Sequence, residues 1–240
     1  AVKANIHGTQ NVIDAAVKNG VSRVIFTSSD KAVNPTNVMG TTKLMGERLI
    51  TAANSLQKKS NTIFASTRFG NVLGSRGSVV PLFKQQIKNH KQITLTDKRM
   101  TRFVMSTKQA VELVLHSVSL ACGGEVFVTK MPIVRIEDLA RVLVESITGD
   151  ANGADIKIIG PKPGEKMYEE LMSEEETRRT IELDRYFSVL PALDAVYKEV
   201  NYGYQHNGDL GIDKPYNTQF GKALTPVQIK NFLLESGLLN

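Results

Sequence analysis

The feature that most constrains the fold is an alternation of helical and short apolar segments in the first third of the chain. Apolar residues at helical spacing lead to Gly20, which ends a helix, and residues 22–28 (SRVIFTS) follow as a short apolar run. A second helical pattern spans about 39–56, and residues 62–68 (TIFASTR) form another such run. Strands of this kind are typical of parallel sheets that helices cover on both faces. We therefore predict an α/β fold with a doubly wound parallel sheet, in which both strands are buried on both faces.

The later segments continue this alternation of helices and strands. In a helix predicted over residues 106–120, Val111, Val114 and Leu115 are expected to point inward. The other predictions are a helix after the glycine- and serine-rich loop that follows residue 70, strands at 93–95, 125–128, 156–159 and 182–190, a helix over 135–148, irregular chain over 200–218, and a C-terminal helix capped by Thr225 with Pro226 at its first position.

Charge limits the classes of ligand. The chain has 30 lysines and arginines against 24 acids, and its net charge of +6 suits an anionic ligand such as a nucleotide diphosphate. Lysine and arginine are dispersed among the acids rather than gathered in the basic stripe that is typical of nucleic-acid binding. We therefore expect a small anionic substrate and no nucleic acid.

The single cysteine, Cys122, excludes an internal disulfide and a cysteine metal cluster. A reducing compartment fits this cysteine usage, so we expect a cytoplasmic protein without a bound metal. The sequence contains no run near the roughly 18 apolar residues that a membrane helix needs. The chain opens at Ala1 inside a helical pattern, and we expect it to be part of a longer protein.

Reactive side chains are concentrated in the segment TSSDKAVNPTNVMGTTK, which ends at Lys43. The segment begins where a predicted parallel strand ends, and open α/β sheets bind their ligands at that edge. Ser29, Asp30 and Lys31 lie together there, and Lys43 follows Met39 by one helical turn. A hydroxyl, a carboxylate and two amines are thus expected to converge, although a solvated loop before an ordinary helix would contain the same tripeptide.

The same segment resembles the active-site segment of extended short-chain dehydrogenases/reductases, and more narrowly that of UDP-N-acetylglucosamine 4,6-dehydratases. Those enzymes carry a hydroxyl-Asp-Lys run, then Asn-Pro, then a Tyr or Met four residues before a Lys. The corresponding residues here are Ser29, Asp30, Lys31, Asn34, Pro35, Met39 and Lys43. Further stretches agree in the same order: KANIHGT at 3–9, STRFGNVLGSRGSVVPLF at 66–83, MTRF at 100–103, GGEVFV at 123–128 and PGEKMYEEL at 163–171. The resemblance therefore covers essentially the whole chain.

The resemblance implies that residues 1–73 form the second half of a Rossmann-like NAD(P)-binding domain, with returning elements around 90–130. Residues 74–240 would mainly form a smaller α+β part that binds the nucleotide sugar. The glycine-rich phosphate loop of such domains, G-x-x-G-x-x-G, is missing from the sequence, and GSRGSV at 74–79 has a different spacing. We therefore expect roughly 100 residues with the pyrophosphate site to precede Ala1.

The activity that the resemblance implies is removal of water from a UDP-hexose such as UDP-N-acetylglucosamine. Such enzymes use NADP or NAD to oxidise sugar C4, remove the C5 proton and the C6 hydroxyl, and return hydride to C6. The product is a 4-keto-6-deoxy sugar for surface polysaccharide or glycan biosynthesis. We also expect a homo-oligomer.

This chemistry needs one group that takes the C5 proton and another that protonates the leaving hydroxyl. Lys31 and Asp30 are the available pair, with Lys31 as the base and Asp30 as the acid. By the resemblance, Ser29 would bond the C4 hydroxyl and Lys43 would bond the nicotinamide ribose. Met39 stands where short-chain dehydrogenases usually have a catalytic tyrosine, and its thioether cannot exchange a proton.

The remaining site residues are also implied by the resemblance. Asn5 matches a helix asparagine that supports the active-site backbone, and Arg102 is favoured for the diphosphate because its planar fork suits phosphate oxygens. Lys162 replaces an arginine that the family usually carries in this loop. The cofactor would contact Ser28, Ser29, Met39, Lys43, Phe69, Gly70, Asn71 and Val72, and the UDP-sugar would contact Lys31, Asn71, Arg76, Ser78, Val79, Pro81, Lys84, Thr101, Arg102, Glu165 and Lys166.

Two alternative functions fit the same sequence observations. A UDP-sugar 4-epimerase has the same fold but needs no acid–base pair for C5 and C6, so Asp30 and Lys31 favour a dehydratase. A non-catalytic nucleotide-sugar-binding remnant would explain Met39, but it would have no use for the complete set of Asp30, Lys31 and Lys43.

Overall fold

The computed structural model describes residues 1–56, 61–89, 92–150, 152–192, 200–204 and 210–239. These residues form two compact units. The first unit comprises Ala1–Phe69, Val111–Lys130 and Glu170–Tyr216, and the second comprises Gly70–Ala110, Met131–Glu169 and Asn217–Asn240. Each unit is therefore built from separate stretches of the sequence.

Helices and strands alternate along most of the chain, as the sequence pattern predicts. Among the described residues, no helix combines the length and the apolar composition that crossing a membrane requires. In chain order the elements are a π-helix Lys3–His7, α1 Gly8–Lys18, β1 Arg23–Ser29, a 3₁₀ turn Asp30–Ala32, α2 Val38–Leu56, β2 Ile63–Phe69, β3 Asn71–Val72, α3 Val79–Lys88, β4 Ile93–Leu95, β5 Thr101–Met105, α4 Thr107–Leu120, β6 Val126–Thr129, β7 Ile133–Arg135, α5 Ile136–Thr148, β8 Ile156–Ile158, α6 Glu174–Thr177, β9 Thr180–Glu182, β10 Tyr186–Val189 and α7 Pro226–Glu235.

The sheet of the first unit has the strand order β1-β2-β6-β10-β9. β1, β2 and β6 run parallel, and β10 is antiparallel to both β6 and β9. In this register Ser29 pairs with Phe69, and Arg68 lies between Ser28 and Val128. The carboxyl ends of β1 and β2 are therefore level, and Ser29 and Phe69 lie side by side.

Helices cover both faces of this sheet. Phe64 packs in one core with Ile13 of α1 and Ile50 of α2. The next residue, Ala65, packs in a different core with Leu113 of α4. Successive strand residues point to opposite faces, so α1 and α2 cover one face and α4 covers the other. The predicted doubly wound α/β sheet is confirmed.

Two predicted strands differ in detail. The strand predicted at 22–28 is β1, but Val24, Ile25 and Phe26 are half-buried rather than buried on both faces. β1 is the outermost strand of the described sheet, so its side chains have fewer neighbours. The single strand predicted at 182–190 is a hairpin of β9 and β10, because the chain turns back between them.

The inward face predicted for α4 is wrong. Val111 and Leu115 are 52% and 62% exposed, and Val114 is half-buried, whereas Leu113 is buried. The apolar residues of this helix lie on more than one face, so their spacing alone does not identify the side that packs on the sheet.

The second unit has its own core, formed by α3, α5 and α7 with the two small sheets β3-β5-β7 and β4-β8. Phe83, Leu139 and Leu233 pack in this core. α7 begins at Thr225, which caps it, and Pro226 follows as predicted. The sequence pattern predicts none of β3, β5 and β7, because strands of two, five and three residues are too short to establish a clear period.

A buried ion cluster joins three elements of the first unit. Arg68 on β2 is 1% exposed and makes five hydrogen bonds, which use all five N–H groups of its guanidinium. Two go to Glu47 on α2 (2.9 and 2.8 Å), two go to Glu176 on α6 (both 2.8 Å), and one goes to the Leu171 carbonyl oxygen (3.0 Å). The guanidinium therefore fixes α2 and α6 to the same strand.

Mutual attraction keeps this cluster charged. Burial alone would raise the pKa of Glu176, but the charge and hydrogen bonds of Arg68 outweigh burial and lower that pKa to about 2. Burial alone would lower the pKa of Arg68, and the two carboxylates raise it instead. Arg68 and Glu176 are therefore both charged at neutral pH.

We expect Arg68→Met to lower the free energy of unfolding by about 3–5 kcal/mol, because it leaves two buried carboxylates without their partner. In the wild type, Glu176 contributes stability above its ordinary pKa of 4.5, and this contribution is lost as the pH falls through about 2. In the variant the buried carboxylates have lost their partner, so their protonation in acid removes an unpaired buried charge and favours the folded state. Urea unfolding should therefore show that the free energies of unfolding of the two proteins differ less at acid pH than at neutral pH.

The control for this experiment is Arg141→Met, which removes an exposed pair with Glu137 one helical turn away. Exposed pairs contribute little, so this change should leave stability nearly unaltered. If Arg68→Met had an equally small effect, the cluster would not be a structural requirement.

Candidate active site

The site forms where β1 ends. β1 finishes at Ser29 in extended backbone, and Asp30–Ala32 form a single 3₁₀ turn. Ser29 caps this turn, since its hydroxyl oxygen accepts the Lys31 backbone N–H (3.3 Å). The predicted Ser29, Asp30 and Lys31 group thus lies at the carboxyl end of a parallel strand, where open α/β sheets bind ligands.

The two oxygens of the Asp30 carboxyl have opposite surroundings. Oδ1 accepts hydrogen bonds from the Ser29 hydroxyl (2.7 Å), the Lys31 backbone N–H (2.8 Å) and the Lys31 ammonium (2.9 Å). Oδ2 is buried and has no hydrogen-bond partner within the described residues. A buried polar atom without a partner is costly, so Oδ2 is the place where a proton and a ligand oxygen can be accommodated.

Lys31 is placed to exchange a proton with Asp30. Its Nζ lies 2.9 Å from Asp30 Oδ1, and its side chain is 41% exposed whereas that of Asp30 is fully buried. The amine can therefore contact a ligand and the buried carboxyl together. Moving one proton from Nζ to the carboxyl gives a neutral amine beside a carboxylic acid, which are the forms that a general base and a general acid need.

Lys43 reaches from α2 back to β1. Its Nζ donates to the Thr27 carbonyl oxygen (2.9 Å) and lies 5.0 Å from the centre of the Phe26 ring, within cation–π distance. Burial lowers the pKa of Lys43, and the Glu47 carboxylate one turn later on α2 opposes this effect. A backbone oxygen and an aromatic ring thus hold Lys43 near the end of β1.

The start of α2 is supported by the π-helix. Asn5 lies in this helix and donates from Nδ2 to the Thr42 hydroxyl (3.0 Å), which donates in turn to the Met39 carbonyl oxygen (2.9 Å). π-helical turns are rare and are often found at functional sites. Asn5 therefore contacts α2 through Thr42, a residue that the sequence pattern does not reveal. The Met39 side chain is exposed.

Close packing of α2 on the 3₁₀ turn Asp30–Ala32 depends on Gly40. Asn37 accepts the Gly40 backbone N–H on its side-chain oxygen (2.9 Å). A Cβ atom on Gly40 would overlap the Lys31 carbonyl oxygen, so any larger residue would displace the turn. The signal in the sequence is a glycine inside a predicted helix, where it is otherwise unfavourable.

The loop after the turn contains an unusual backbone. Asn34 has a φ of 44°, in the left-handed region that residues other than glycine rarely adopt. Its side-chain amide donates to Glu170 Oε1 (3.1 Å). Glu170 belongs to the stretch PGEKMYEEL, so one of the matched motifs contacts the loop that follows Lys31.

Two residues expected to contact the cofactor lie beside the turn. Phe69 pairs with Ser29 across the parallel strands. Ser28 is buried, and its hydroxyl has no hydrogen-bond partner in the described part of the chain. The first unit thus brings Ser28, Ser29 and Phe69 to one edge of the sheet, with Met39 and Lys43 in the first two turns of α2.

The other predicted binding residues belong to the second unit. Asn71 lies in β3, and its side-chain oxygen is buried without a partner among the described residues. Ser78 directly precedes α3, but its side chain makes no capping hydrogen bond. Gly70 precedes β3, Val72 lies in it, Arg76 is exposed before α3, Val79, Pro81 and Lys84 lie on α3, Thr101 and Arg102 lie on β5, and Glu165 and Lys166 lie between β8 and α6.

Thr101 and Arg102 are engaged within their own unit. Arg102 donates to the carbonyl oxygens of Thr101 (2.8 Å) and Lys166 (2.9 Å) and lies 3.4 Å from the Glu169 carboxylate. The Thr101 hydroxyl donates to the Thr218 hydroxyl (2.8 Å). In this arrangement Arg102 holds the chain around Lys166, and its contact with a diphosphate stays a prediction.

Residues 1–191 match the family described as polysaccharide biosynthesis protein. The whole chain is 47% identical to an uncharacterized membrane protein of Methanocaldococcus jannaschii and covers 69% of it. Over 88% of the chain and 61% of the relative, it is 42% identical to a UDP-N-acetylglucosamine 4,6-dehydratase (inverting) of Campylobacter jejuni. Over 98% of the chain and 67% of the relative, it is 39% identical to a UDP-glucose 4-epimerase of Rickettsia felis. The chain thus spans 61% to 69% of the length of these relatives.

Solved structures agree with this family. Pen from Bacillus thuringiensis has a TM-score of 0.89 and 43% identity, over the whole chain and 70% of that protein. A dTDP-glucose 4,6-dehydratase from Bacillus anthracis, solved in complex with NAD, has a TM-score of 0.58 over 67% of the chain and 56% of that protein. Its identity of 14% makes this second likeness one of fold alone.

These matches agree with the geometry at the end of β1, where the Ser29 hydroxyl and the Lys31 amine bond the Asp30 carboxyl and Lys43 bonds the Thr27 carbonyl oxygen of the same strand. The chain therefore belongs to the polysaccharide biosynthesis protein family, a group of nucleotide-sugar dehydratases and epimerases with the extended short-chain dehydrogenase/reductase fold.

Proposed function

We propose that the protein is a nucleotide-sugar 4,6-dehydratase that removes water from UDP-N-acetylglucosamine or a related UDP-hexose. The product would be a 4-keto-6-deoxy sugar for surface polysaccharide or glycan biosynthesis. The observation that carries the proposal is the Asp30 carboxyl, with one oxygen saturated by donors and the other buried and without a partner in the described residues, beside the half-exposed amine of Lys31. Loss of water from adjacent carbons needs such an acid and base side by side.

The end of β1 suits the nicotinamide part of NADP or NAD. The Ser28 hydroxyl there is a buried polar group that has no partner in the described chain, and Lys43 brings a positive charge to the same strand. When bound, the cofactor would accept hydride from sugar C4 and return it to C6. We propose that Ser28, Ser29, Met39, Lys43 and Phe69 contact it, and the contacts expected for Gly70, Asn71 and Val72 of the second unit stay predictions.

The two catalytic roles follow from the surroundings of each group. Lys31 takes the proton from C5, because its amine is the more exposed member of the pair. Asp30 protonates the departing C6 oxygen from Oδ2, the oxygen that no protein donor occupies in the described structure. The proton on Nζ returns to C5 once C6 has received its hydrogen. The proton that the C4 hydroxyl releases on oxidation restores the one that Asp30 gave to the departing water, so the enzyme gains and loses no proton overall.

Ser29 and Met39 have supporting roles in this proposal. The Ser29 hydroxyl donates to Asp30 Oδ1 and thereby fixes which carboxyl oxygen remains available. The same hydroxyl oxygen is proposed to bond the C4 hydroxyl of the sugar. Met39 contacts the ligand without moving a proton, since a thioether does not ionise.

The other residues predicted to bind the nucleotide sugar belong to the second unit, and their contacts stay predictions. These residues are Asn71, Arg76, Ser78, Val79, Pro81, Lys84, Thr101, Arg102, Glu165 and Lys166. A division of function near residue 73, with the cofactor before it and the nucleotide sugar after it, stays a prediction. A cytoplasmic location and a homo-oligomer stay predictions as well.

A UDP-sugar 4-epimerase is the second candidate, because an epimerase of Rickettsia felis is 39% identical to the chain. Epimerisation at C4 moves no proton at C5 or C6. The Asp30 and Lys31 pair would therefore have no task in an epimerase, and this favours the dehydratase.

Product mass separates the two candidates. The enzyme should convert UDP-N-acetylglucosamine to a product lighter by one water, with no net reduction of its NADP or NAD. Asp30→Asn, which keeps the shape of the side chain but cannot protonate the leaving oxygen, should give no such product. Mass spectrometry that finds only an isomer of unchanged mass would favour the epimerase.

Exchange at C5 tests the role of Lys31. We expect Lys31→Ala to slow turnover by about 10²–10⁴-fold, which is the usual contribution of a general base. In deuterated water the wild type should incorporate deuterium at C5, and this variant should not. Nuclear magnetic resonance of the product measures the label.

Lys18→Ala removes an exposed lysine at the end of α1 and is the matched control, with turnover and labelling unchanged. Normal deuterium uptake in Lys31→Ala would identify another group as the base, and Asp30 would be the first to examine.

A further inference from the structure

The buried cluster around Arg68 carries more negative than positive charge. Glu47 and Glu176 each make two hydrogen bonds of 2.8–2.9 Å to the same guanidinium, and no side chain of the three is more than 4% exposed. Two carboxylates therefore face one cation. The excess charge lies in a poorly solvated part of the protein, where its field is only weakly screened.

The two carboxylates are not equally compensated. Glu176 also accepts the Ser173 backbone N–H (2.9 Å) and lies 3.6 Å from the Arg179 guanidinium. Within the described residues, the Glu47 carboxylate accepts hydrogen bonds from Arg68 alone. The remaining negative charge of the cluster is therefore concentrated at Glu47.

Glu47 lies on α2 one helical turn after Lys43, so the two side chains are neighbours on the helix surface. Lys43 is partly buried, and the two groups that hold its ammonium, the Thr27 carbonyl oxygen and the Phe26 ring, carry no net charge. A half-buried ammonium held by neutral groups tends to lose its proton. A fixed carboxylate on the same helix opposes that loss.

We propose that Glu47 is a positioning residue that keeps Lys43 protonated and directed at the end of β1, while Glu176 anchors only α6. The effect on Lys43 needs no assumption about the reaction. Its importance for catalysis rests on the proposed function, in which Lys43 must carry a positive charge beside the nicotinamide ribose.

Other charges near α2 do not replace Glu47. The charged or titratable residues on α2 and on the elements packed against it are Lys3 and His7 of the π-helix, Asp14 and Lys18 of α1, Arg23 of β1, Asp30 and Lys31 of the 3₁₀ turn, Arg48 of α2 and Arg68 of β2. Those on the π-helix, on α1, at the start of β1 and at Arg48 are exposed to solvent, which screens them. Asp30 and Lys31 pair with each other. Glu47 is the carboxylate whose field raises the pKa of Lys43.

The matched pair of carboxylates supplies the test. Brief labelling with acetic anhydride modifies only unprotonated amines, and peptide mass spectrometry at a series of pH values gives the pH at which Lys43 is half-reactive. We expect Glu47→Gln to lower that pH by about one unit, since a nearby opposite charge commonly has an effect of this size. Glu176→Gln removes the same number of bonds to Arg68 but should leave the pH unchanged, and Lys18 in the same samples serves as the internal standard.

A purely structural role predicts a different result. Both variants would then destabilise the protein and either leave Lys43 unaltered or alter it equally, and each of those outcomes contradicts the proposal. If Glu47→Gln gives no folded protein, Glu47→Leu, Arg68→Met and Glu176→Leu are combined, because buried ion clusters often tolerate complete apolar replacement. The half-reactive pH of Lys43 should fall in that variant too, and an unchanged value would overturn the proposal.

The activity profile separates this inference from the proposed function. At alkaline pH, kcat/KM should fall as Lys43 loses its proton. In Glu47→Gln the pH of this fall should decrease by the same amount as the half-reactive pH of Lys43, whereas in Glu176→Gln it should stay unchanged. An inactive wild type would refute the proposed function and leave the labelling result valid. An active wild type whose Lys43 responds equally to both variants would refute the inference alone.

Discussion

The guanidinium of Arg68 is the point on which the first unit depends, because it places a charged group near the carboxyl end of a parallel strand with 1% of its surface exposed. A buried charge is tolerated only when it is paired and fully hydrogen-bonded. Glu47 and Glu176 meet that condition only when α2 and α6 both dock on β2. The docking of α2 in turn presses Gly40 against the Lys31 backbone. The geometry of the 3₁₀ turn Asp30–Ala32 therefore follows from an ion cluster that exchanges no proton with the substrate in the proposed chemistry.

The proposed chemistry uses similar interactions with more access to solvent. The Asp30 carboxyl is as buried as Glu47, but its partner Lys31 is half-exposed and only one of the two oxygens is occupied by donors in the described structure. Such a pair can pass a proton to a ligand, whereas the fully bonded cluster around Arg68 has no site left for one. Lys43 lies between these extremes, held by neutral groups and influenced by a buried carboxylate. How completely the buried charges are paired and hydrogen-bonded thus distinguishes the cluster around Arg68 from the Asp30 and Lys31 pair.

Much of the fold and the centre of the site could be predicted from sequence, because their information is local. The apolar run at 62–68 predicts β2, and the adjacency of Asp30 and Lys31 in the chain ensures that they meet after a strand. Long-range features could not be predicted in this way. The carboxylate partners of Arg68 lie 21 and 108 residues away, and the contact between Asn34 and Glu170 spans 136 residues. Two other features leave no periodic pattern in the sequence: the Asp30 oxygen that has no partner in the described residues, and the half-buried state of β1. Both depend on which distant elements pack nearby.

The central claim, that the site removes water across C5 and C6, is tested most directly by following the hydrogen on sugar C4. UDP-N-acetylglucosamine that carries deuterium at C4 is incubated with the enzyme, and nuclear magnetic resonance locates the label in the product. We predict that the deuterium appears in the methyl group at C6 of a 4-keto sugar. Recovery of the deuterium at C4 of the C4 epimer, with no loss of water, would contradict the claim and would identify the enzyme as an epimerase.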